Sequence, residues 1–326
     1  MNAPQILDRT HQTDEPISQT PVERVTGSVS QHVLDNLAIE EPLEIQLAYG
    51  PPGSRKIRSI SVTMRTPGND FDLAAGFLMT EGVIRDANDI EQIARARDSF
   101  RDSFNEGEST PQGGDSIPSG IDALKLGSKQ NIVRVDLAGD VEVNLGGLQR
   151  NFYTTSSCGI CGKASLLALR TVCPQRMPNN FRLDAQLLYR LPERLRASQG
   201  VFDRTGGLHA AALFDSTGNL RSLREDVGRH NAVDKLIGSE FLADRTPLRD
   251  RLLLLSGRAS FELLQKALMG GIPMVAAVGA PSSLAVQVAK EFDITLVGFL
   301  RQDHFNIYHG SERIDGLTSE SNGVQE

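Results

Sequence analysis

The last third of the sequence alternates between apolar runs and amphipathic segments, and this alternation restricts the fold more than any other feature. Three short runs are almost entirely apolar, at 252–256, 274–278 and 294–299. Two segments with helical length and period, 260–270 and 282–292, separate them. Because crossovers of this length join parallel neighbours with right-handed connections, the pattern predicts β-α-β-α-β. We therefore expect a three-layer α/β domain in the C-terminal half of the chain.

The first half of the sequence has a different pattern, typical of an antiparallel hairpin followed by a helix. Residues 43–49 alternate apolar and polar side chains, a Gly-Pro-Pro-Gly turn follows, and 57–65 has the pattern of the return strand. The next apolar stripe predicts a helix that begins at Asn69 or Asp70. We expect a smaller, β-rich α+β domain over residues 31–150.

Three polar segments are expected outside the cores of these domains. Residues 1–30 predict a disordered tail, and residues 313–326 predict a second, polar tail. Between 98 and 131 the sequence loses its pattern and is rich in Gly, Ser, Pro and acidic residues. We interpret that segment as a disordered insertion in the first domain, and we place the second domain at 151–312.

The composition argues against several classes of function. The chain has 34 Lys and Arg against 41 Asp and Glu, a net charge of −7, whereas nucleic-acid binding needs clustered positive charge. Three cysteines in 326 residues do not make a disulfide scaffold. No apolar run approaches the roughly 20 residues of a membrane helix, and the N-terminus has no signal-peptide core. We expect a reduced, cytoplasmic protein with neither a membrane nor a nucleic acid as partner.

The ends of the predicted parallel strands carry small and basic residues that suit an anion. They lie at 256–258, 279–282 and 299–301, and ligands bind at the carboxyl ends of parallel strands. The first two ends run directly into helix N-termini, whose N–H groups attract anions. Arg258 and Arg301 add donors with the geometry of a phosphate. The pattern favours a phosphorylated ligand, and the alternative is a set of ordinary connecting loops with solvated arginines.

The Cys-Gly-Ile-Cys motif at 158–161 fits three kinds of site. A catalytic zinc would add His209 to Cys158 and Cys161, but Ala211 stands where zinc deaminases need a glutamate as general acid and base. A thioredoxin-like redox pair would follow a strand, whereas this motif follows Thr-Thr-Ser-Ser. The third alternative is a nucleophilic thiol with a supporting neighbour.

The surroundings of the motif favour the nucleophile. A helix is predicted to start near Lys163, and the positive end of its dipole together with that lysine stabilises a thiolate. Small residues before the motif suit a mobile loop that carries sulfur from a donor to an acceptor. They also argue against the alternative, a pair of inert buried cysteines. Cys173, which precedes Pro174, is interpreted as structural.

A second group of polar residues follows the cysteine motif. His209 stands in TGGLHA, and Asp226, Arg229 and His230 lie at the start of a helix predicted over 226–238. Four residues apart on a helix, Asp226 and His230 face the same side, where a carboxylate orients an imidazole. The alternatives are a helix cap with a weak ion pair and a histidine satisfied within the core.

Together these segments resemble the formate dehydrogenase accessory sulfurtransferase family (FdhD). The matching blocks follow the family's order along nearly the whole chain: MRTPGNDFDLAAGFLMTEGVI (64–84), SSCGICGKAS (156–165), TGGLHAAAL (205–213), REDVGRHNAVDKLIG (224–238), GRASFELLQKA (257–267) and ITLVGFLR (294–301). Several specific motifs in one order are stronger evidence than any single motif. The N-terminal tail and the insertion are not covered.

The resemblance implies a fold and a reaction. The family's C-terminal domain is cytidine-deaminase-like but lacks the zinc chemistry, so no catalytic metal is expected. Family members accept persulfide sulfur from a cysteine desulfurase. They pass it to the molybdenum bis(molybdopterin guanine dinucleotide) cofactor, which the client, formate dehydrogenase, needs for activity. The resemblance also implies a homodimer.

The resemblance also implies roles for particular residues. The sulfur is carried by Cys158, and Cys161 supports it. The family's nucleotide-binding stretch falls on Phe299, Leu300, Arg301, Gln302, Asp303 and His304, and the last three differ from a Pro-Gly-Arg-like version in some members. The other residues expected to line the cofactor site are Arg258, His209, Asp226, Arg229 and His230.

Two other functions stay open. One is a non-catalytic carrier that delivers the dinucleotide cofactor and uses the cysteines only for recognition. The other is a relic of a zinc-dependent deaminase. Intact activity without Cys158 and Cys161 would indicate the carrier, and stoichiometric zinc would indicate the relic.

Overall fold

The structure is a computed structural model that describes residues 5–6, 15–95, 131–143, 166, 169–170 and 180–318. The chain divides into two compact units, each assembled from separated stretches of sequence. Both units contain strands and helices, which confirms the predicted α/β class in its broad form. Across these ranges, no helix is long and apolar enough to cross a membrane. The predicted insertion at 98–131 lies outside the described residues, apart from Asn131.

The first unit combines the N-terminal half of the chain with residues 201–208 and 226–244. Its main sheet and its helices have these bounds: β1 Gln5–Ile6, β4 Glu41–Tyr49, β5 Lys56–Arg65, β6 Ile90–Arg95, β7 Ile132–Leu137, α1 Asp70–Thr80, α3 Gly200–Thr205 and α4 Arg229–Phe241. The strand order is β1-β6-β7-β4-β5.

One face of this sheet is buried, as the alternation in the sequence predicts. Strands β4 and β5 form the expected antiparallel hairpin, and β4 pairs in parallel with β7 on its other side. Leu43, Ile45 and Leu47 of β4 are fully buried, as are Val133 and Val135 of β7. These side chains lie two residues apart, so each strand turns one face into the core.

A second, two-stranded sheet stands where a disordered tail was predicted over residues 1–30. Strands β2, Ile17–Thr26, and β3, Val29–Ala38, pair antiparallel in full register. We call the segment 17–38 the hairpin arm. Most of its residues are exposed on both faces. Because neither face is buried, the sequence lacks the alternation that marks a strand, and the prediction of a tail differs from the structure.

Helix α4 was expected inside a continuous domain at 151–312, but it belongs to the first unit. The predicted bounds of 226–238 were also shifted, since α4 begins at Arg229 with Gly228 as its N-cap and continues to Phe241. Gly238 therefore lies within the helix instead of ending it.

Helices α1 and α4 cross in direct backbone contact at two glycines. A Cβ atom on Gly76 of α1 would lie 1.9 Å from the Asp234 carbonyl oxygen, and a Cβ atom on Gly238 of α4 would lie 1.9 Å from the Asp72 carbonyl oxygen. Only glycine permits so close an approach. This crossing holds α4 in the first unit although it lies far away in the sequence.

The second unit contains a six-stranded mixed sheet. Its elements have these bounds: β8 Leu183–Asp184, α2 Ala185–Ser198, β9 His209–Phe214, β10 Leu220–Asp226, β11 Leu252–Leu255, α5 Phe261–Met269, β12 Met274–Ala277, α6 Ser283–Phe292, β13 Thr295–Gly298, β14 Asn306–His309 and β15 Ile314–Asp315. The strand order is β10-β9-β11-β12-β13-β14. Strands β11, β12 and β13 are parallel, as predicted, whereas β9 and β14 are antiparallel to their neighbours.

Helix α2 covers one face of this sheet. Its buried residues Leu188, Leu191 and Leu195 share a hydrophobic cluster with Leu252 and Leu254 of β11. Spacings of three and four residues place the three leucines on one side of the helix. The apolar stripe therefore explains the packing of a helix that was not predicted.

The end of the chain also differs from the predicted polar tail at 313–326. Arg313 is fully buried and donates to the carboxylate of Asp293 at 2.9 Å. Strand β15 follows it and pairs in parallel with β8. Residues 313–315 are thus part of the second unit.

Candidate functional site

The carboxyl ends of β11, β12 and β13 form one edge of the second unit, and hydrogen bonds between their loops make that edge continuous. The Gly279 amide donates to the Gly257 carbonyl at 2.9 Å, and the Phe299 amide donates to the Gly279 carbonyl at 3.1 Å. Ala259 and Pro281 form a further parallel bridge. The three loops are therefore held together by backbone contacts, which fixes the groups that they carry.

Glycines allow the three loops to approach closely. A Cβ atom on Gly279 would lie 2.9 Å from Arg258 Cγ and 3.0 Å from its Cα. A Cβ atom on Gly298 would lie 2.7 Å from Pro281 Cδ. The distances of 2.9 Å and 2.7 Å are shorter than those of real Cβ atoms, so these positions require glycine if the edge is to keep its shape.

The two helix N-termini at this edge differ in how their amides are used. The Ser282 hydroxyl caps α6, since it accepts from the Ala285 amide at 3.2 Å. Ser260 precedes α5 and makes no side-chain cap, and its buried Oγ has no hydrogen-bond partner among the described residues. The N-terminus of α5 is thus better suited than that of α6 to a bound anion.

His209 and Arg258 both lie at this edge. His209 begins β9, which pairs antiparallel with β11, so it stands beside the end of β11. A Cβ atom on Gly257 would be 3.4 Å from His209 Nδ1. The Ser256 hydroxyl accepts from the Ala210 amide at 2.8 Å and ties the two segments together.

The stretch 299–304 follows β13 at this edge, and its residues differ in exposure and in hydrogen bonding. Phe299 has a positive φ of 52° and is 39% exposed. The side chain of Leu300 is fully buried in the core cluster, so it packs instead of facing a ligand. Arg301 Nη1 donates to the carbonyls of Val278 at 2.5 Å and Leu300 at 3.0 Å, which commits part of its guanidinium to the edge itself.

The last three residues of the stretch form an exposed turn. The Arg301 amide donates to the His304 carbonyl at 2.9 Å. His304 Nδ1 lies 2.8 Å from Asp303 Oδ1, and Gln302 is exposed beside them. The turn therefore presents polar side chains in fixed positions next to Phe299.

Asp226 lies in the first unit and is fully buried in an ion pair. Its carboxylate is 2.6 Å from Lys235 Nζ, and it accepts from the amides of Gly228 at 2.8 Å and Thr66 at 3.2 Å. The Asn231 side chain adds a donor at 3.1 Å. Both carboxylate oxygens are occupied by the protein, so this arrangement anchors the start of α4.

Lys235, the partner of Asp226, could not be recognised from the sequence. It also donates to the Thr66 carbonyl at 2.7 Å and is fully buried. The signal available in the sequence was a lysine among the apolar residues of a helix. Lys235 is nine residues from Asp226, whereas side chains that pair on a helix are three or four residues apart, so the spacing does not indicate the pair.

Arg229 and His230 open helix α4 and are half-buried. The Arg229 Nε atom is buried and has no hydrogen-bond partner among the residues that the structure describes. Both residues belong to the first unit, whereas His209, Arg258 and the 299–304 stretch belong to the second. The predicted site residues therefore form two groups on separate units.

Cys158, Cys161 and Cys173 lie outside the described residues, so the roles assigned to these three thiols stay predictions. Within the described ranges, no three or more His, Cys, Asp or Glu side chains are grouped in a way that would hold a metal ion. The zinc alternative depends on both cysteines and stays a prediction.

Two carboxylates with shifted pKa values lie at the opposite edge of the sheet. Burial raises the pKa of Asp215, but hydrogen bonds from Thr217, Asn219 and Arg221 outweigh it and hold this pKa well below its ordinary value. Burial likewise raises the pKa of Asp293, and donors on Arg313 and His309 reverse the shift. These groups stabilise turns of the second unit and are remote from His209.

Comparisons with known proteins agree with this architecture. The sulfur carrier protein FdhD of Streptomyces avermitilis is 49% identical over 290 residues, which cover 88% of this chain and 92% of that protein. The protein of the same name from Mycobacterium tuberculosis is 47% identical over 283 residues, with coverages of 86% and 92%. A crystal structure of a formate dehydrogenase accessory protein from Desulfotalea psychrophila matches with a TM-score of 0.63 and 21% identity, over 91% of this chain and 99% of that one. At 21% identity, the similarity to this crystal structure shows the fold alone.

A family model extends the match across both units. It covers residues 38–315, which include the cysteine motif, the strand edge and helix α4. With relatives close to half identical over most of their length, the chain belongs to the FdhD/NarQ family.

Proposed function

We propose that the chain is a sulfur carrier that accepts persulfide sulfur on Cys158 from a cysteine desulfurase. It transfers that sulfur to the molybdenum bis(molybdopterin guanine dinucleotide) cofactor for use by formate dehydrogenase. The observation that carries the proposal is the similarity, over 88% of the chain, to proteins named sulfur carriers. The Cys-Gly-Ile-Cys motif supplies the chemistry.

The loading step is an exchange of thiols that balances without an oxidant. The Cys158 thiolate attacks the terminal sulfur of the donor persulfide, a new S–S bond forms, and the donor cysteine leaves as a thiolate. The product is Cys158–S–SH. Cys161, three residues away, supports the loaded sulfur. In the transfer step the S–S bond breaks with its electron pair left on Cys158, which regenerates the thiolate. The terminal sulfur leaves as a neutral atom, and the acceptor supplies the electron pair of the new bond to it.

The strand edge supports the binding of the acceptor through its nucleotide. The N-terminus of α5 has no side-chain cap and offers the Ser260 hydroxyl, and the exposed Arg258 beside it suits a phosphate. The partly exposed ring of Phe299 offers a flat apolar surface for a base. Because hydrogen bonds fix the three loops, the loops lose little conformational entropy when a ligand binds.

We also propose that the second unit has a cytidine-deaminase-like arrangement. The edge hairpin β9–β10, followed by the parallel strands β11, β12 and β13 with a helix between each pair, supports it. In this arrangement Ala211 replaces the acid needed for deamination, which agrees with a cofactor site without a catalytic metal of its own.

The loading step is tested by mass spectrometry after incubation with a cysteine desulfurase and cysteine. The wild-type chain should gain one sulfur atom, located on the peptide that contains residues 158–161. Cys158→Ala should lose the gain, while Cys173→Ala, the matched control, should keep it. If Cys158→Ala still gains sulfur and activates formate dehydrogenase, the proposed carrier residue is wrong. If a Cys158/Cys161 double variant activates the enzyme fully, the chain is a carrier of the cofactor alone.

The binding of the acceptor is tested with guanosine diphosphate by titration calorimetry. Arg258→Ala should weaken binding by about 10-fold to 100-fold, because a charged hydrogen bond to phosphate contributes about 1.5–3 kcal/mol. Arg182→Ala is the control, since Arg182 is an exposed arginine of the same unit that pairs with Asp315. Equal affinity of the wild type and Arg258→Ala would exclude the edge near α5 as the phosphate site.

A further inference from the structure

The loop that joins β13 to β14 contains the stretch 299–304 and ends at Phe305. Its ends are held together by the antiparallel pair of Gly298 and Asn306. Hairpin loops usually have about 2–5 residues, so this one is long. Strand β14 is the last of its sheet, and in the described part of the chain no strand pairs with its outer side. Backbone pairing alone therefore does not determine the shape of the loop, and side-chain contacts have to hold it.

Two apolar side chains anchor this loop. Leu300 is fully buried in the hydrophobic cluster of the second unit, and its amide donates to the Ala277 carbonyl at 3.1 Å. Phe305 is half-buried and packs against the same cluster. The residues between them, 301–304, are all exposed. The polar groups that the loop offers to a ligand therefore lie between two anchors, and their positions depend on both.

The second anchor rests on an aromatic ring of helix α2. The ring centroids of Tyr189 and Phe305 are 5.1 Å apart, and the two ring planes are inclined by 45°. Favourable aromatic pairs have centroids about 4.5–7 Å apart. Leu188 and Leu191, which flank Tyr189 on the helix, are fully buried in the cluster. Core packing therefore fixes the backbone that carries the Tyr189 ring, and the ring is a rigid support for Phe305.

We propose that Tyr189 is a positioning residue of the acceptor site, which holds residues 301–304 through Phe305 in the conformation that binds a guanine nucleotide. The role rests on the proposed function, because it adds a residue of α2 to the same nucleotide site. Tyr189 acts through Phe305 and not by touching the nucleotide. When only the ordered loop binds, the apparent Kd rises as the fraction of chains with an ordered loop falls. Loss of the Tyr189 ring should therefore weaken nucleotide binding from outside the site.

Titration calorimetry of the full-length chain with guanosine diphosphate measures this effect. Tyr189→Ala should raise the Kd by about 3-fold to 10-fold, because an aromatic pair contributes on that order and its loss lets the loop leave the binding conformation. Tyr189→Phe should bind as tightly as the wild type, since the ring contact does not use the hydroxyl. Adding Tyr189→Ala to Phe305→Ala should raise the Kd no further than Phe305→Ala alone, because both substitutions remove the same contact.

Leu187→Ala is the control for a merely structural role of the helix. Leu187 is a half-buried residue of α2 that packs against the same cluster, but it lies at the turn of Gly218, where an added Cβ atom would be 3.5 Å from Leu187 Cδ2. Leu187→Ala should lower the free energy of unfolding, as Tyr189→Ala does, and leave the Kd unchanged. Hydrogen exchange gives a second readout. Tyr189→Ala should accelerate exchange of the Arg301 amide, which donates to the His304 carbonyl at 2.9 Å, while strands β11 to β13 keep their protection.

The role of Tyr189 and the proposed acceptor site fail in different ways. If the wild type binds guanosine diphosphate and Tyr189→Ala binds it equally well, or if Leu187→Ala is weakened as much, the role of Tyr189 is overturned and the acceptor site stands. Unchanged exchange at Arg301 in Tyr189→Ala would overturn the role as well. A wild type that does not bind guanosine diphosphate would refute the acceptor site and the positioning role together, while sulfur loading on Cys158 is measured separately.

Discussion

The glycine contact between helices α1 and α4 leads to a quantitative prediction for Gly238→Ala. The added Cβ atom would lie 1.9 Å from the Asp72 carbonyl oxygen and 2.6 Å from the Gly76 amide nitrogen. Both obstacles are backbone atoms of a helix, so neither can rotate away. To reach a tolerable distance, the two helices have to move apart by about 1 Å or more.

The free-energy cost of that movement has three contributions: overpacking, a stretched hydrogen bond and a change in helix propensity. Overpacking of this kind costs about 1–3 kcal/mol. The separation also stretches the buried hydrogen bond from Thr80 Oγ1 to Asp234 Oδ1, now 2.7 Å long, and a bond to a charged group contributes about 1.5–3 kcal/mol. The better helix propensity of alanine returns about 1 kcal/mol. We expect a net loss of about 2–4 kcal/mol and a fall in Tm of roughly 3–6 °C.

Hydrogen exchange combined with chemical denaturation provides the assay. Gly238→Ala should lose protection mainly in α1 and α4, while strands β11 to β13 of the other unit keep theirs. Gly200→Ala is the matched control, because a Cβ atom there meets nothing within 4 Å, and it should be neutral or slightly stabilising. A Gly238→Ala chain as stable as the wild type would show that the helices do not meet at these glycines.

Three further predictions concern the predicted site residues and the turns that support them. Asp226→Ala should cost about 3–5 kcal/mol in denaturant unfolding because Lys235 is left buried without its partner, and Asp226→Ala with Lys235→Met should recover much of the loss. A stability unchanged by Asp226→Ala would contradict the structural role. The lowered pKa of Asp215 means that its contribution is present above about pH 4, the unfolded value, and is lost as the pH falls further towards the folded pKa. In Asp215→Asn the free energy of unfolding should therefore fall less steeply with decreasing pH below about pH 4. An unchanged pH dependence would refute this role of Asp215. Gly279→Ala should weaken guanosine diphosphate binding at least about 10-fold in calorimetry, since its Cβ atom meets the Arg258 backbone, and unchanged affinity would mean that the loops tolerate it.

The parallel core of the second unit could be predicted from the sequence alone. Runs such as 252–256 and 274–278 are short and continuously apolar, and the segments between them have helical period. Both signals are local, because burial on two faces removes alternation from a strand and burial on one side imposes a period of 3.6 on a helix. Strand direction then follows from the length of the crossovers. The same reasoning placed Arg258 and Arg301 at one edge.

The hairpin arm and the extent of helix α4 could not be predicted in this way. The strands of the arm have no buried face, so their sequence lacks the alternation on which the prediction of strands depends. Gly238 matched a helix terminator, since glycine ends helices and also permits their close crossing. Its role is decided by Gly76, more than 150 residues away in the sequence.

The sequence by itself determined the family, the cysteine motif and the order of the parallel strands, because each is written in neighbouring residues. Only the tertiary structure decided which polar residues serve the fold and which face outward. The Asp226 carboxylate is paired with buried Lys235, and the Leu300 side chain lies in the core, and neither fact can be read from neighbouring residues. The physical reason is that burial and pairing depend on groups that the chain brings together only when it folds.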